Sequence, residues 1–406
     1  MADASPETIQ RLIANSEKGL VQIELSLQPI LEARQAVLEA IKKQDGSNVI
    51  LDLTLTVLDT LLAENEVIYD LSTSLDALLK ATDDYTKRFY MQNLNLCFVE
   101  ACQVFIGEDS DEGGLLTKLE KLTKQLNQAG CQYVARHIID DIQEFKKDYC
   151  DRELRNITRH YDDPIKMYEK QQDLTSIEFF AQGTSQLMAI RMEVTVLSSF
   201  LLSLLTPAKK EASSVVSNKK CELDINGMLN NAVFKALKQR NLKEEVQRSL
   251  DNAQKSLNVC YRMHKQCLVA VKFLEEKNCR KEEILKMESL IRLWMEALFL
   301  RYDIACSVWG YLNASTDKER SQNLRLIHIT KQAALTHIYG YNEKVREKSL
   351  WTAVKSIEET SNNILHTESV EKTLQELTEN LSGDKESSQM FAHYRYKHTT
   401  DAIKSR

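Results

Sequence analysis

The chain has 406 residues, 43% hydrophobic and 28% charged, a balance that suits folded globular domains and excludes a disordered chain. Eleven glycines and four prolines are too few to punctuate an all-β fold, so the expected class is all-α, with long helices and few turns. A net charge of -6 gives no global pull towards nucleic acid, and any such contact must rest on a local cluster.

Nine cysteines lack any paired spacing, and the start Met-Ala-Asp-Ala-Ser-Pro-Glu has no basic region ahead of an apolar core. Both features point to reduced thiols and a cytoplasmic setting. The longest apolar run, Val194 to Leu205, is too short to span a bilayer, so a buried core helix and no membrane partner are expected.

Apolar residues at helical spacing predict a first helix over residues 8–43, which Pro29 should kink or split. Asp45-Gly46-Ser47-Asn48 reads as a turn before a second helix, Val49 to Leu79. A third runs from Thr86 to Ile106 and ends at Gly107, a residue suited to a helix C-terminus. An acidic loop to Gly114 leads to helices at Leu115–Gln128 and Gln132–Cys150, separated by Gly130. Thr175-Ser176-Ile177-Glu178 has the spacing of a capping box and should open a helix that ends near Leu205. Residues 207–222 are polar, led by Pro207, and form the expected linker between an N-terminal domain, 1–206, and a C-terminal domain, 223–406. Helices are expected beyond it at 224–240, 242–277, 280–313, 317–339 and 341–380, then a short tail.

Slid on itself by 233 positions, the chain matches without gaps. Leu79, Ala81, Asp84, Ala101 and Gly107 fall on Leu312, Ala314, Asp317, Ala334 and Gly340. Five residues of extra loop later, His160 to Lys166 falls on His398 to Lys404 with His, Asp, Ile and Lys in register. The favoured reading is two copies of one helical module; the competing one is two unrelated helical domains. In the second copy His393 and Tyr394 stand where the first has Arg155 and Asn156, so its motif is degenerate.

The polar crowd lies at Leu154 to Pro164, Leu-Arg-Asn-Ile-Thr-Arg-His-Tyr-Asp-Asp-Pro. Arg155 offers a planar fork for phosphate oxygens, and His160 a proton carrier near neutral pH. Together they are the minimum for RNA cleavage without a metal or other cofactor, with the substrate's 2′-hydroxyl as nucleophile. Asn156 would orient the phosphate or the imidazole, and Arg152 and Arg159, on one stripe with Arg155, would add charge for RNA. Five positions along a regular helix turn Arg155 and His160 roughly 140° apart, so joint action needs a helix end or a second module. Pro164 makes a nearby helix end plausible. The alternative is structural: Arg155 pairs with Asp151 or Asp162, and His160 caps a helix end.

Arg155-Asn156-Ile-Thr-Arg-His160 resembles the Arg-x4–6-His motif of the HEPN superfamily, and the likeness extends over residues 50–205. The resemblance implies a four- or five-helix bundle, catalytic Arg155 and His160 supported by Asn156, and a site built across paired units. It further implies a metal-independent endoribonuclease of toxin–antitoxin or anti-phage defence type, with RNA and an antitoxin or defence protein as partners and a homodimer as assembly. Tyr161 follows His160 directly and Asp162 takes the place of the tyrosine in the His-x-Tyr of some toxin members, which weakens the carry-over of their antitoxin-directed modification chemistry. Other HEPN proteins only bind nucleotides or proteins, so a non-catalytic scaffold is the second expectation.

Cys260, His264 and Cys267 share a helical face, but no fourth ligand is evident and core packing is expected there, with no metal. No P-loop, dinucleotide glycine pattern or serine elbow is present.

Overall fold

The computed structural model describes residues 5–43, 48–107, 113–160, 163–204, 242–277, 281–314, 317–340, 349–360 and 368–382. Among them every regular element is an α-helix. The expected linker 207–222, the helix at 224–240, the acidic loop 108–112 and the echo at 393–404 lie outside the described residues.

In chain order the helices are α1 (Pro6–Lys42), α2 (Val49–Lys80), α3 (Asp84–Ile106), α4 (Leu115–Gln125), α5 (Ala129–Tyr149), α6 (Arg152–His160), α7 (Pro164–Gln172) and α8 (Ile177–Leu204). They continue as α9 (Leu242–Asp251), α10 (Ala253–Glu276), α11 (Glu282–Asn313), α12 (Asp317–Ile338), α13 (Leu350–Thr360) and α14 (Glu368–Ser382). Pro29 lies inside α1 and does not end it. Asn252 divides the stretch expected as one helix into α9 and α10. The turn before α5 is made by Asn127 at φ 54 rather than by Gly130, which lies within the helix. Asparagine tolerates that left-handed geometry through local polar contacts, which glycine-based reading overlooks.

Element bounds carry the offset found in the sequence. Helices α2 and α11 begin at 49 and 282 and end at 80 and 313. Helices α3 and α12 begin at Asp84 and Asp317, and Gly107 and Gly340, each just beyond them, have φ 84 and 82. Those positive angles suit glycine, which has no Cβ to clash.

The chain forms two compact units, each drawing on several segments. The first contains residues up to Lys80, Asn93–Asp151 and the stretch from Thr175. Its centre is α2, buried nearly all round from Leu53 to Leu79 because apolar residues occur on more than one of its faces. Helix α1 packs on α2 and closes the buried ion pair Arg34 Nε–Asp59 Oδ1 at 2.5 Å. Helices α4 and α8 cover other sides of α2, and α5 packs against both α4 and α8. Phe98, Phe145, Tyr149 and Phe180 cluster there with ring centroids 4.9–6.2 Å apart. Gly183 permits this contact: a Cβ on it would fall 2.7 Å from the Tyr149 ring.

The second unit contains residues 81–92, 152–174 and the stretch from Lys243. Helices α10, α11 and α12 pack in succession, and α7 lies on α10 and α11. The opening turns of α3 are held here: Tyr85 Oη donates to Asp303 Oδ1 at 2.8 Å, and Tyr90 Oη to Asn323 Oδ1 at 3.1 Å. Trp309 Nε1 donates to Gln247 Oε1 at 2.8 Å, joining α9 to α11.

Candidate functional site

Helix α6 carries the sequence motif, and the residue before it is held by a buried side chain. Asn95 accepts from the Asp151 backbone N–H at 2.8 Å and donates to the Asp151 carbonyl at 2.9 Å. A buried amide thus fixes the backbone just before α6 in both directions. Leu154 is the buried anchor of α6, while Arg152 and Asn156 are exposed and Arg155 is half-buried. Arg155 Nη1 donates to Asn156 Oδ1 at 3.1 Å, so guanidinium and amide lie side by side. Thr158 Oγ1 donates back to the Leu154 carbonyl at 2.8 Å.

The helix is continuous from Arg152 to His160. No helix end separates Arg155 from His160, and regular geometry sets their positions roughly 140° apart. The side chains of Arg159 and His160, and residues Tyr161 and Asp162, lie outside the described residues. The structure therefore places Arg155 beside Asn156, with Arg152 on the same exposed helix.

Pro164 opens α7 at a first-turn position, where its missing N–H is no loss. Asp163 caps that helix by accepting from the Ile165 and Lys166 backbone N–H groups at 3.2 and 3.1 Å. Glu153 of α6 pairs with Lys166 and Lys170 of α7, and those two hydrogen bonds pull its carboxyl down to about 2. Helix α7 is in turn strapped to α10. Tyr168 stacks on Tyr261 with centroids 4.5 Å apart, and Tyr261 Oη donates to Glu169 at 2.6 Å. That hydrogen bond, with Lys265 nearby, holds the Glu169 carboxyl below its ordinary range. Burial pushes the Tyr168 phenol up, so it stays a neutral donor to Asn258.

Cys260, His264 and Cys267 face inwards on α10, and His264 Nδ1 lies 2.8 Å from Glu288 Oε1. Burial raises both thiols, which disfavours thiolate ligands. Among the described residues no group of three or more His, Cys, Asp or Glu is placed to hold a metal ion.

Sequence reading missed the buried ionic groups, Arg34–Asp59 among them, and one on α2 is further distinguished by its titration. Glu64 of α2 accepts from Arg191 Nε at 3.0 Å and Thr195 Oγ1 at 2.6 Å, both on α8. Its Oε2 is buried with no hydrogen-bond partner, and burial raises the carboxyl from 4.5 to about 7. The available signal was Arg191, a lone cation at the inward spacing of an otherwise apolar helix.

By length and composition α8 could cross a membrane, the one such helix among the described residues. One of its faces packs on α2 and α5 through Leu187, Ile190, Val194, Leu197 and Leu201. No family model, curated protein or solved structure matches the chain.

Proposed function

We propose that the chain is a metal-independent endoribonuclease of HEPN type, built from two related helical modules, with α6 as its reacting edge. The observation that carries the reading is a contact between a residue and its own counterpart: Tyr90 Oη donates to Asn323 Oδ1, and these positions are separated by the repeat offset of 233. In a duplicated chain, counterparts touch where the two copies are related by a local twofold axis. Helices α6 and α7, from the first half, also pack in the compact unit of the second half. Both features support pairing of the modules within one chain.

Arg155 and Asn156 then present a guanidinium and an amide to the non-bridging phosphate oxygens, with Arg152 adding charge along the strand. The imidazole of His160 takes the proton from the 2′-hydroxyl. The 2′-oxygen bonds to phosphorus, the bond to the 5′-oxygen breaks, and that oxygen takes a proton from solvent water as it leaves. Because a continuous α6 separates Arg155 and His160, the site closes against a second surface supplied by the paired module. A toxin or anti-phage role, with an antitoxin or defence protein as partner, belongs to the same reading.

Purified full chain is incubated with single-stranded and structured RNA in the presence of EDTA. Arg155→Ala and His160→Ala are each expected to lower cleavage by ~10²-fold or more. Equal cleavage by wild type and both variants would assign the activity to a contaminant or another site. Specific activity is expected to stay constant on dilution; a steep fall would move the pairing from one chain to two.

The second reading is a non-catalytic scaffold, favoured by the unbroken helix between Arg155 and His160. Binding of RNA or a nucleotide without cleavage, lost in Arg155→Ala, would support it.

A further inference from the structure

One face of α3 meets the end of α5. Asn95, Phe98 and Cys102 are spaced three and four apart, which puts them within about 60° of arc on that helix. Asn95 grips the Asp151 backbone, Phe98 packs on the rings of Phe145 and Tyr149, and Cys102 Sγ lies 3.8 Å from Cys150 Sγ. All of these residues belong to the first compact unit. The two cysteines are 48 positions apart, so no spacing motif announces the pair.

Their surroundings suit successive steps. Cys102 is fully buried within α3, whereas Cys150 is half-buried and caps the C-terminus of α5. Cys150 has extended backbone at φ -100 and ψ 116, and its N–H reaches the Lys146 carbonyl only at 3.3 Å. Closing the sulfurs from 3.8 Å to the ~2.05 Å of a disulfide is a shift of about 1.8 Å. The end of α5 can supply it, because a helix terminus is held by fewer backbone hydrogen bonds than a helix interior. By contrast, burial raises the thiols of Cys131, Cys260, Cys267 and Cys306, which keeps those sulfurs protonated and inert.

We propose that Cys102 and Cys150 form a reversible redox switch that fastens α3 covalently to the end of α5 when hydrogen peroxide is present. The exposed edge of Cys150 is attacked first. Its thiolate bonds to a peroxide oxygen, the O–O bond breaks, and the departing hydroxide takes up the proton the thiol released. Cys150 is then a sulfenic acid and one water has formed. The Cys102 sulfur bonds to the Cys150 sulfur, the S–O bond breaks, and a second water leaves with the Cys102 proton. Two thiols and one peroxide thus become one disulfide and two waters, two electrons passing from sulfur to oxygen. In a reducing compartment the pair rests as thiols, and a disulfide there is transient and signals oxidant. The link closes a loop of roughly 50 residues, which restricts the unfolded chain and makes the oxidised form the more stable. The inference does not rest on the ribonuclease reading, because both cysteines lie in the first unit and Arg155 in the second.

The test treats the full chain with hydrogen peroxide, then alkylates, digests with trypsin and reads the peptides by mass spectrometry. Wild type is expected to show residues 89–118 linked to residues 148–152, a link that dithiothreitol removes. Its melting midpoint should rise by ~5 °C or more on oxidation. Cys97→Ser, within the first of those peptides, should change neither result. Cys102→Ala should lose the link and the shift, and should hold Cys150 as a sulfenic acid that dimedone traps. Cys150→Ser should lose all three. Wild type that stays a dithiol under peroxide overturns the proposal, as does a link that persists in Cys102→Ala. A link that leaves the melting midpoint unchanged overturns it as well.

Discussion

Glu64 shows how one buried carboxyl can tie stability to pH. Its Oε1 takes Thr195 and Arg191, its Oε2 takes no partner, and desolvation outweighs those favourable contacts to raise the group from 4.5 to about 7. Between those two values the native state binds more protons than the unfolded chain. The contribution to stability is therefore flat below pH 4.5, falls as pH rises towards 7, and is flat again above. Glu64→Gln keeps an acceptor oxygen and loses the charge. It is expected to stabilise the protein by up to about 3 kcal/mol above pH 7, with the gain fading at about pH 5. Denaturant midpoints on both sides of neutrality measure this; an equal gain at both pH values would show that packing, not ionisation, is responsible.

Gly310 poses a steric question at the same scale. A Cβ there would lie 2.0 Å from Tyr90 Oη and 2.2 Å from Asn323 Oδ1. Gly310→Ala is expected to destabilise by about 1–3 kcal/mol. Adding Tyr90→Phe removes the nearer atom and should recover part of the loss, giving a non-additive double-mutant cycle in urea. Strict additivity would mean the close approach of α3 and α11 carries no energy of its own.

At the scale of elements, helix positions were legible because apolar spacing and caps are local signals. The expected spans for α2, α3 and α11 lie within two residues of the observed ends, and Gly107 ends α3 with the positive φ its residue type permits. Breaks depending on a single residue were less legible. Asn252 interrupts a helical pattern that runs on both sides of it, and Pro29 leaves α1 uninterrupted. In α6 the motif residues were visible in sequence, and so was the 140° problem of their spacing. The clamp between Asn95 and Asp151, the residue before it, was not, since the two are 56 residues apart and neither has a motif signature. The exposure of Trp294 was equally hidden, because its spacing is that of a core position, while Leu61, 233 positions earlier on α2, is buried.

At the scale of the whole molecule, the compact units do not follow chain order. Residues 81–92 and 152–174 bury Tyr85, Tyr90, Leu154 and Met167 in the unit dominated by residues after Lys243. A fragment of residues 1–206 is therefore expected to lack partners for these side chains and to unfold with low cooperativity. Adding residues 223–406 should restore a sharp thermal transition. A sharp transition in the isolated 1–206 fragment would show that these segments find equivalent partners within their own half.

Sequence alone determined the all-α class, most helix bounds, the 233-residue offset and the identity of the polar crowd at 154–164. These are properties of composition and of spacing along one helix, and neighbours in sequence suffice to set them. Tertiary structure decided where α6 packs, which carboxyl is buried against Arg191, and that Trp294 is left exposed. Those outcomes depend on contacts between residues 50–230 positions apart, where a leucine facing a neighbouring helix and one facing solvent are spaced alike.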